Sequence, residues 1–217
     1  MVGCGPAEGA SQARQPAGQT ETSGKLDART EAMLAAADRG RIQGDSTAAI
    51  WLVEVSDFQC PFCKMWHDST YPAVQREFVK TGIVRMAYVN YPLQQHPNAR
   101  PAAEAAMCAA AQGQFWPMHD RIFDTQARWA ALQDASTVFD SLARASGVQH
   151  QEWRACIASA AMRLLLATDQ QYGVNAGIRS TPTFYVGSEA LSGAAPIEAF
   201  REAIGRARAK AAPPARP

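Results

Sequence analysis

Four consecutive residues, Cys60-Pro61-Phe62-Cys63, limit most sharply what this chain can fold into. They follow a short β-branched run, Ile50–Ser56 (IWLVEVS), which reads as a buried strand, and they open a stretch with helical patterning. A two-residue gap in a first helical turn lets both sulfurs reach disulfide geometry. Unpaired backbone N–H groups and the dipole at a helix start favour negative charge, so Cys60 is expected to titrate below the free-thiol value of about 8.5. A stabilised thiolate stabilises the dithiol, and the disulfide becomes a better oxidant. Pro61 suits the first turn, where a missing N–H is no loss. Two other uses of such a pair find little support. No second CxxC and no HxxxH completes a zinc site, and haem attachment needs His where Lys64 stands. His67, one turn on, reads as an ordinary amphipathic helix position.

Two further features bear on the same chemistry. Glu54 is an acid inside an apolar strand, and period-2 alternation puts Val53 and Val55 on the face opposite to it. A buried carboxylate is costly without a task. Beneath the cysteines Glu54 is a candidate relay for the Cys63 proton, its pKa raised by desolvation; the alternative is a solvated acid at a strand edge. Ser180-Thr181-Pro182-Thr183 precedes a strand signal, where proline is out of place unless it is a special feature such as a cis bond. A cis Thr181–Pro182 bond is the expectation, with Thr181 offering backbone groups to an extended substrate chain; a plain trans turn is the alternative.

The remaining sequence frames these motifs. The chain has 217 residues, enough for one domain carrying an insertion. Net charge is +1, which gives no electrostatic case for nucleic acid or an anionic membrane surface. No run of about 18 apolar residues suggests a membrane span. Residues 1–24 are rich in small and polar types and read as a disordered tether. Val2-Gly3-Cys4 resembles the end of a bacterial lipobox, which makes Cys4 the candidate for lipid attachment, although no charged or apolar leader stands before it. A helix is expected over Leu26–Asp38, a helix from Pro61 to Lys80 restarting near Pro72, and a strand over Ile83–Asn90. Residues 98–176 carry no strand signal and read as several helices. Strands at Thr183–Gly187 and Ala190–Ser192 and a helix over Pro196–Ala209 follow, with a frayed tail from Ala211. The expected organisation is therefore a tether (1–24), a first half of an α/β domain (25–97), an inserted helical domain (98–176), a second half (177–210) and the tail (211–217).

Val53–Lys64 (VEVSDFQCPFCK), Cys108–Ile122 (CAAAQGQFWPMHDRI) and Ser180–Gly187 (STPTFYVG) together resemble the DsbA-like branch of the thioredoxin superfamily, over roughly residues 40–205. The resemblance implies a thioredoxin-like α/β fold with an inserted α-helical domain and an exported, extracytoplasmic enzyme of the periplasm or cell envelope. Carried over by position, Cys60 is the reactive sulfur, Cys63 the resolving one, Pro182 the cis-proline and Glu54 the buried acid. The implied activity is exchange of the Cys60–Cys63 disulfide with cysteines of reduced or misoxidised protein substrates, in the oxidising direction. No cofactor and no metal beyond the two cysteines are expected, and a membrane redox partner would reset them. A monomer is expected. The alternatives are a reductase or isomerase, and a non-catalytic peptide-binding chaperone module. Two departures stand out: Phe62 occupies the position of a histidine in the best-known member, and the turn after the proline strand is Val186-Gly187-Ser188 rather than Asn-Gly.

Cys108 and Cys156 lie in apolar helical runs, AAMCAAA and WRACIA. In an exported chain an oxidising environment joins such cysteines, so a second, structural disulfide is expected; the alternative is two small buried core residues.

Overall fold

The computed structural model describes Met1 and residues 26–211. The expected tether, the candidate lipidation site Cys4 and the tail beyond Ala211 lie outside the described residues.

A five-stranded sheet carries the architecture, in the order β1-β3-β2-β4-β5, where β1 is Ile42–Gln43, β2 Ile50–Ser56, β3 Val84–Asn90, β4 Thr183–Val186 and β5 Glu189–Ser192. β2 and β3 run parallel, with Glu54 opposite Tyr88 and Ser56 opposite Asn90. β4 pairs antiparallel with the other side of β2, and β5 with β4. β2 is thus the central strand, flanked by a strand from each half of the chain. The two-residue edge strand β1 has too short a pattern to be read from sequence.

Helix α1 (Ala28–Gly40) is capped by Asp27, whose carboxylate accepts from the Thr30 N–H at 2.9 Å. The helix expected over 61–80 is broken into three pieces: α2 (Pro61–Ser69), α3 (Tyr71–Val74) and a π-helical turn over Gln75–Val79. The break falls at Thr70, two residues ahead of Pro72, because a proline inside a helix removes one hydrogen bond and crowds the preceding turn. After β3 come six helices without a strand: α4 (Ala99–Ala110), α5 (Phe115–Asp124), α6 (Gln126–Trp129), α7 (Ser136–Ala145), α8 (His150–Ser159) and α9 (Met162–Asn175). Helix α10 (Ile197–Ala211) closes the fold, so Ala211 ends a helix and does not begin the tail.

Two large hydrophobic clusters and a small third one, of Val55, Tyr91 and Ile178, lie against the sheet. One of the large clusters joins Leu52, Met86, Phe184 and Val186 to Trp66, Phe200 and Ile204 of the covering helices. The other is built on α4, which is buried nearly all round as a central helix must be, and it takes in Phe58, Cys60, Cys63 and Tyr88. Cys108 of α4 and Cys156 of α8 are joined by a disulfide with a Cα–Cα distance of 5.8 Å.

The insertion is also tied to the sheet by polar groups. The buried Asp169 carboxylate of α9 accepts from the Arg41 guanidinium and from the Asn90 backbone and side-chain nitrogens at 3.0 and 3.1 Å. Gly173 lets α9 approach closely, since a Cβ there would lie 2.3 Å from the Tyr91 ring.

Candidate functional site

The chain leaves β2 through Asp57, Phe58 and Gln59 and enters α2 with Cys60 as its cap residue and Pro61 in the first turn. Buried side chains hold that approach. One Asp57 carboxylate oxygen accepts from the Gln59 N–H at 2.7 Å, and the other accepts from the Leu93 N–H at 2.9 Å and from His96 Nδ1 at 2.7 Å. The insertion supplies the opposite wall. Gln126 donates its side-chain N–H groups to the carbonyls of Phe58 at 2.7 Å and Cys60 at 3.1 Å. Gln59 donates to the Ala130 carbonyl at 2.8 Å and accepts from the Asn98 N–H at 2.7 Å.

Cys60 and Cys63 both carry free thiols. The Cys60 thiol donates to the Thr181 carbonyl at 3.4 Å, and the Thr181–Pro182 bond is cis. This brings Cys60, Cys63, Thr181 and Pro182 into one place. Cys60 is only 4% exposed, against 0% for Cys63, because the loop before β4 covers it. Thr181 is buried, and its carbonyl accepts from the Cys60 thiol. Phe62 is the exposed member of the motif, at 56%, with Met65 beside it at 53%.

The two sulfurs titrate far apart. Cys60 is drawn down to about 6, chiefly by the hydrogen bond that Cys63 offers to its thiolate; burial opposes this, and the Thr181 side chain and the backbone N–H groups of Cys63 and Phe62 add to it. Cys63 is pushed well up by burial, by its hydrogen bond to Cys60 and by the Cys60 charge. The first helical turn contributes through those backbone N–H groups, and the partner sulfur contributes more.

Glu54 sits on the inward face of β2 with no exposure, so the solvated-acid alternative does not hold. Burial pushes its carboxyl up to about 8, partly offset by Ser56 and by the charge of His67. Both Glu54 oxygens, Ser56 Oγ and Tyr88 Oη are buried without a hydrogen-bond partner among the described residues. The Ser56 hydroxyl favours the ionised forms of Glu54, Cys63 and Tyr88 alike. Sequence reasoning missed Ser56, Tyr88 and Gln126. The strand period that points Glu54 inward also points Ser56 inward, and that was the one signal present.

A family model described as thioredoxin matches residues 36–206. The chain is 33% identical over 177 residues to Na(+)/H(+) antiporter NhaA 3 of Salinispora tropica, covering 80% of this chain and 26% of that protein. It is 22% identical over 169 residues to disulfide bond formation protein D of Bacillus subtilis, covering 75% and 74%. Oxidised BdbD from Bacillus subtilis superposes with a TM-score of 0.70 at 22% identity, covering 77% of this chain and 92% of that one. Chlamydia trachomatis DsbA does so with a TM-score of 0.70 at 20% identity, covering 80% and 93%. These likenesses show a thioredoxin-like fold with a helical insertion. The chain spans about a quarter of the antiporter-named relative, and no helix among the described residues is long and apolar enough to cross a membrane.

Proposed function

The chain belongs to the thioredoxin family, and from that premise we propose that it is a DsbA-like protein thiol-disulfide oxidoreductase that oxidises cysteines of exported proteins. One observation carries the reading: the Cys60 sulfur is an acidic thiol at a helix start, paired with a shielded thiol and held against the loop that carries Pro182.

The reaction follows from that difference in acidity. A substrate thiolate attacks Cys60 Sγ in the Cys60–Cys63 disulfide. The new substrate–Cys60 bond forms as the Cys60–Cys63 bond breaks, and Cys63 leaves as a thiolate. Its high pKa requires a proton, and the neutral, buried Glu54 carboxyl is the donor. A second substrate thiolate then attacks the substrate sulfur of the mixed disulfide, and Cys60 leaves as the stabilised thiolate. The substrate gains a disulfide and the chain becomes a dithiol. Cys63 releases a stalled intermediate by attacking Cys60 Sγ in the mixed disulfide, returning its proton to Glu54. The cysteines suffice for exchange without a cofactor, and a membrane redox partner accepts the electrons to restore the disulfide.

The compartment belongs to the same proposal. The Cys108–Cys156 disulfide supports an oxidising, extracytoplasmic setting, and Cys4 is the proposed point of lipid attachment there. The test mixes the oxidised chain with a reduced two-cysteine protein. Stoichiometric transfer of the disulfide, abolished by Cys60→Ala, is the expected result. Substrate binding without oxidation, unchanged in Cys60→Ala, would overturn the reading in favour of a binding module.

A further inference from the structure

Two of the four histidines, His67 of α2 and His119 of α5, are buried side by side and have no part in the exchange just described. His67 lies one turn beyond Cys63, and His119 is fully enclosed among the rings of Phe58, Tyr88, Trp116 and Phe123. Asp120 follows His119 and places one carboxylate oxygen between the two imidazoles, 2.8 Å from His119 Nδ1 and 3.5 Å from His67 Nε2.

We propose that His67, His119 and Asp120 form a three-ligand site for a divalent cation of the zinc class, with water completing a tetrahedron. One ligand atom from each residue lies within 4.8 Å of the other two. With metal–ligand bonds of about 2.0 Å, neighbouring ligand atoms of a tetrahedral site stand about 3.3 Å apart, and the two measured separations fall on either side of that spacing.

A second observation points to a ligand. His67 Nε2 is buried and makes no hydrogen bond among the described residues. Its other nitrogen, Nδ1, faces the Asp68 carboxylate at 3.2 Å, and Lys64 holds that carboxylate in turn. A carboxylate behind one imidazole nitrogen fixes the tautomer and leaves the other nitrogen free to ligate, as behind metal-bound histidines. The Asp120 side chain is half-exposed and gives the cation its path from solvent.

Histidine–aspartate contacts in a core are the competing account, and that account gives His67 Nε2 only a 3.5 Å approach to Asp120 and no hydrogen bond. The proposed site bridges α2, which bears the cysteines, to α5, the second helix of the insertion. Metal would therefore fasten α2 to α5 without touching either sulfur.

The test uses the full chain carrying Cys4→Ser, with Cys60–Cys63 oxidised so that no thiolate competes. Zn²⁺ alone is titrated by calorimetry, and Co²⁺ is added separately to read the absorption of a tetrahedral site. One equivalent should bind. His67→Gln and Asp120→Asn should each weaken binding at least about tenfold, while His150→Gln should leave it unchanged. Zn²⁺ should raise the melting temperature of the parent chain and not that of Asp120→Asn. If His67→Gln does not fold, Asp120→Asn decides alone, because its side chain is half-exposed. Absence of saturable Zn²⁺ binding, or binding that both substitutions leave intact, would overturn the proposal.

Discussion

The thiol of Cys60 donates to the carbonyl of Thr181 at 3.4 Å across 121 residues of sequence. The contact holds the proton of a sulfur that otherwise gives it up easily, so the thiol and thiolate forms have different partners. The thiolate instead receives the Cys63 S–H and the N–H groups of the first helical turn. In the reduced chain, alkylation of Cys60 should follow a titration centred near pH 6, with Cys63 unreactive across the same range. The redox potential should fall by about 59 mV per pH unit below that midpoint and about 30 mV above it, because one proton fewer then accompanies the two electrons. A single slope through pH 6 would refute the assignment.

Glu54 gives a stability prediction of defined sign. Its folded pKa, about 8, lies above the ordinary value of 4.5, so the unfolded chain loses this proton first. Stability from this group is therefore greatest below pH 4.5 and declines as pH rises towards 8. The full span corresponds to at most about 5 kcal/mol. Glu54→Gln should remove that decline, leaving the variant more resistant to urea than the parent at pH 8 and closer to it at pH 5. Parallel curves for the two proteins would count against a buried acid. The same variant should slow Cys63-dependent release of a mixed disulfide by on the order of 100-fold.

Phe62 is exposed and its backbone N–H faces the Cys60 thiolate. Replacing it with histidine adds an imidazole donor at the mouth of the site and should make the chain a stronger oxidant. A rise of about 30 mV would correspond to about 1.4 kcal/mol of added thiolate stabilisation. Equilibration with a glutathione buffer measures it, and an unchanged or lower potential would be the contrary result.

Gln126 satisfies two buried carbonyls of the strand-to-helix connection. Gln126→Ala leaves both without that donor and should cost about 1–3 kcal/mol in denaturant unfolding. A loss within error of zero would mean that other donors replace it.

The Cys108–Cys156 bond closes a loop with a sequence separation of 48. Chain-entropy reasoning gives such a loop about 4 kcal/mol of stabilisation. The Cys108→Ser/Cys156→Ser chain should unfold at correspondingly lower urea while Cys60–Cys63 exchange persists at permissive temperature. Unfolding midpoints that coincide would show that the bond adds nothing.

The sequence made the local features legible and hid the distant ones. The run IWLVEVS and the proline in CPFC specify a strand and a helix start within 14 residues, so neither depends on tertiary context. Alternation along β2 sufficed to turn Glu54 inward. The cover over Cys60 was not legible, since it comes from a loop 121 residues away. His67 read as an ordinary amphipathic helix position, because its helix was taken alone, without α5 packed against it. Gln126 carries no motif; its role exists only where its amide meets two carbonyls. The restart near Pro72 was legible, since proline fits only the first turn of a new helix, here Tyr71–Val74.

The cluster that encloses Cys60 and Cys63 is the one built on the Ala-rich helix α4. The insertion is continuous in sequence and looks like a cassette, yet its interior is also the interior of the reactive site. Exchanging residues 98–176 for the equivalent segment of a relative would thus be less like changing a handle than like changing the solvent around the two sulfurs. Chimaeras of this kind should inherit the acidity of their cysteines from the donor of the helices as much as from the donor of the four-residue motif.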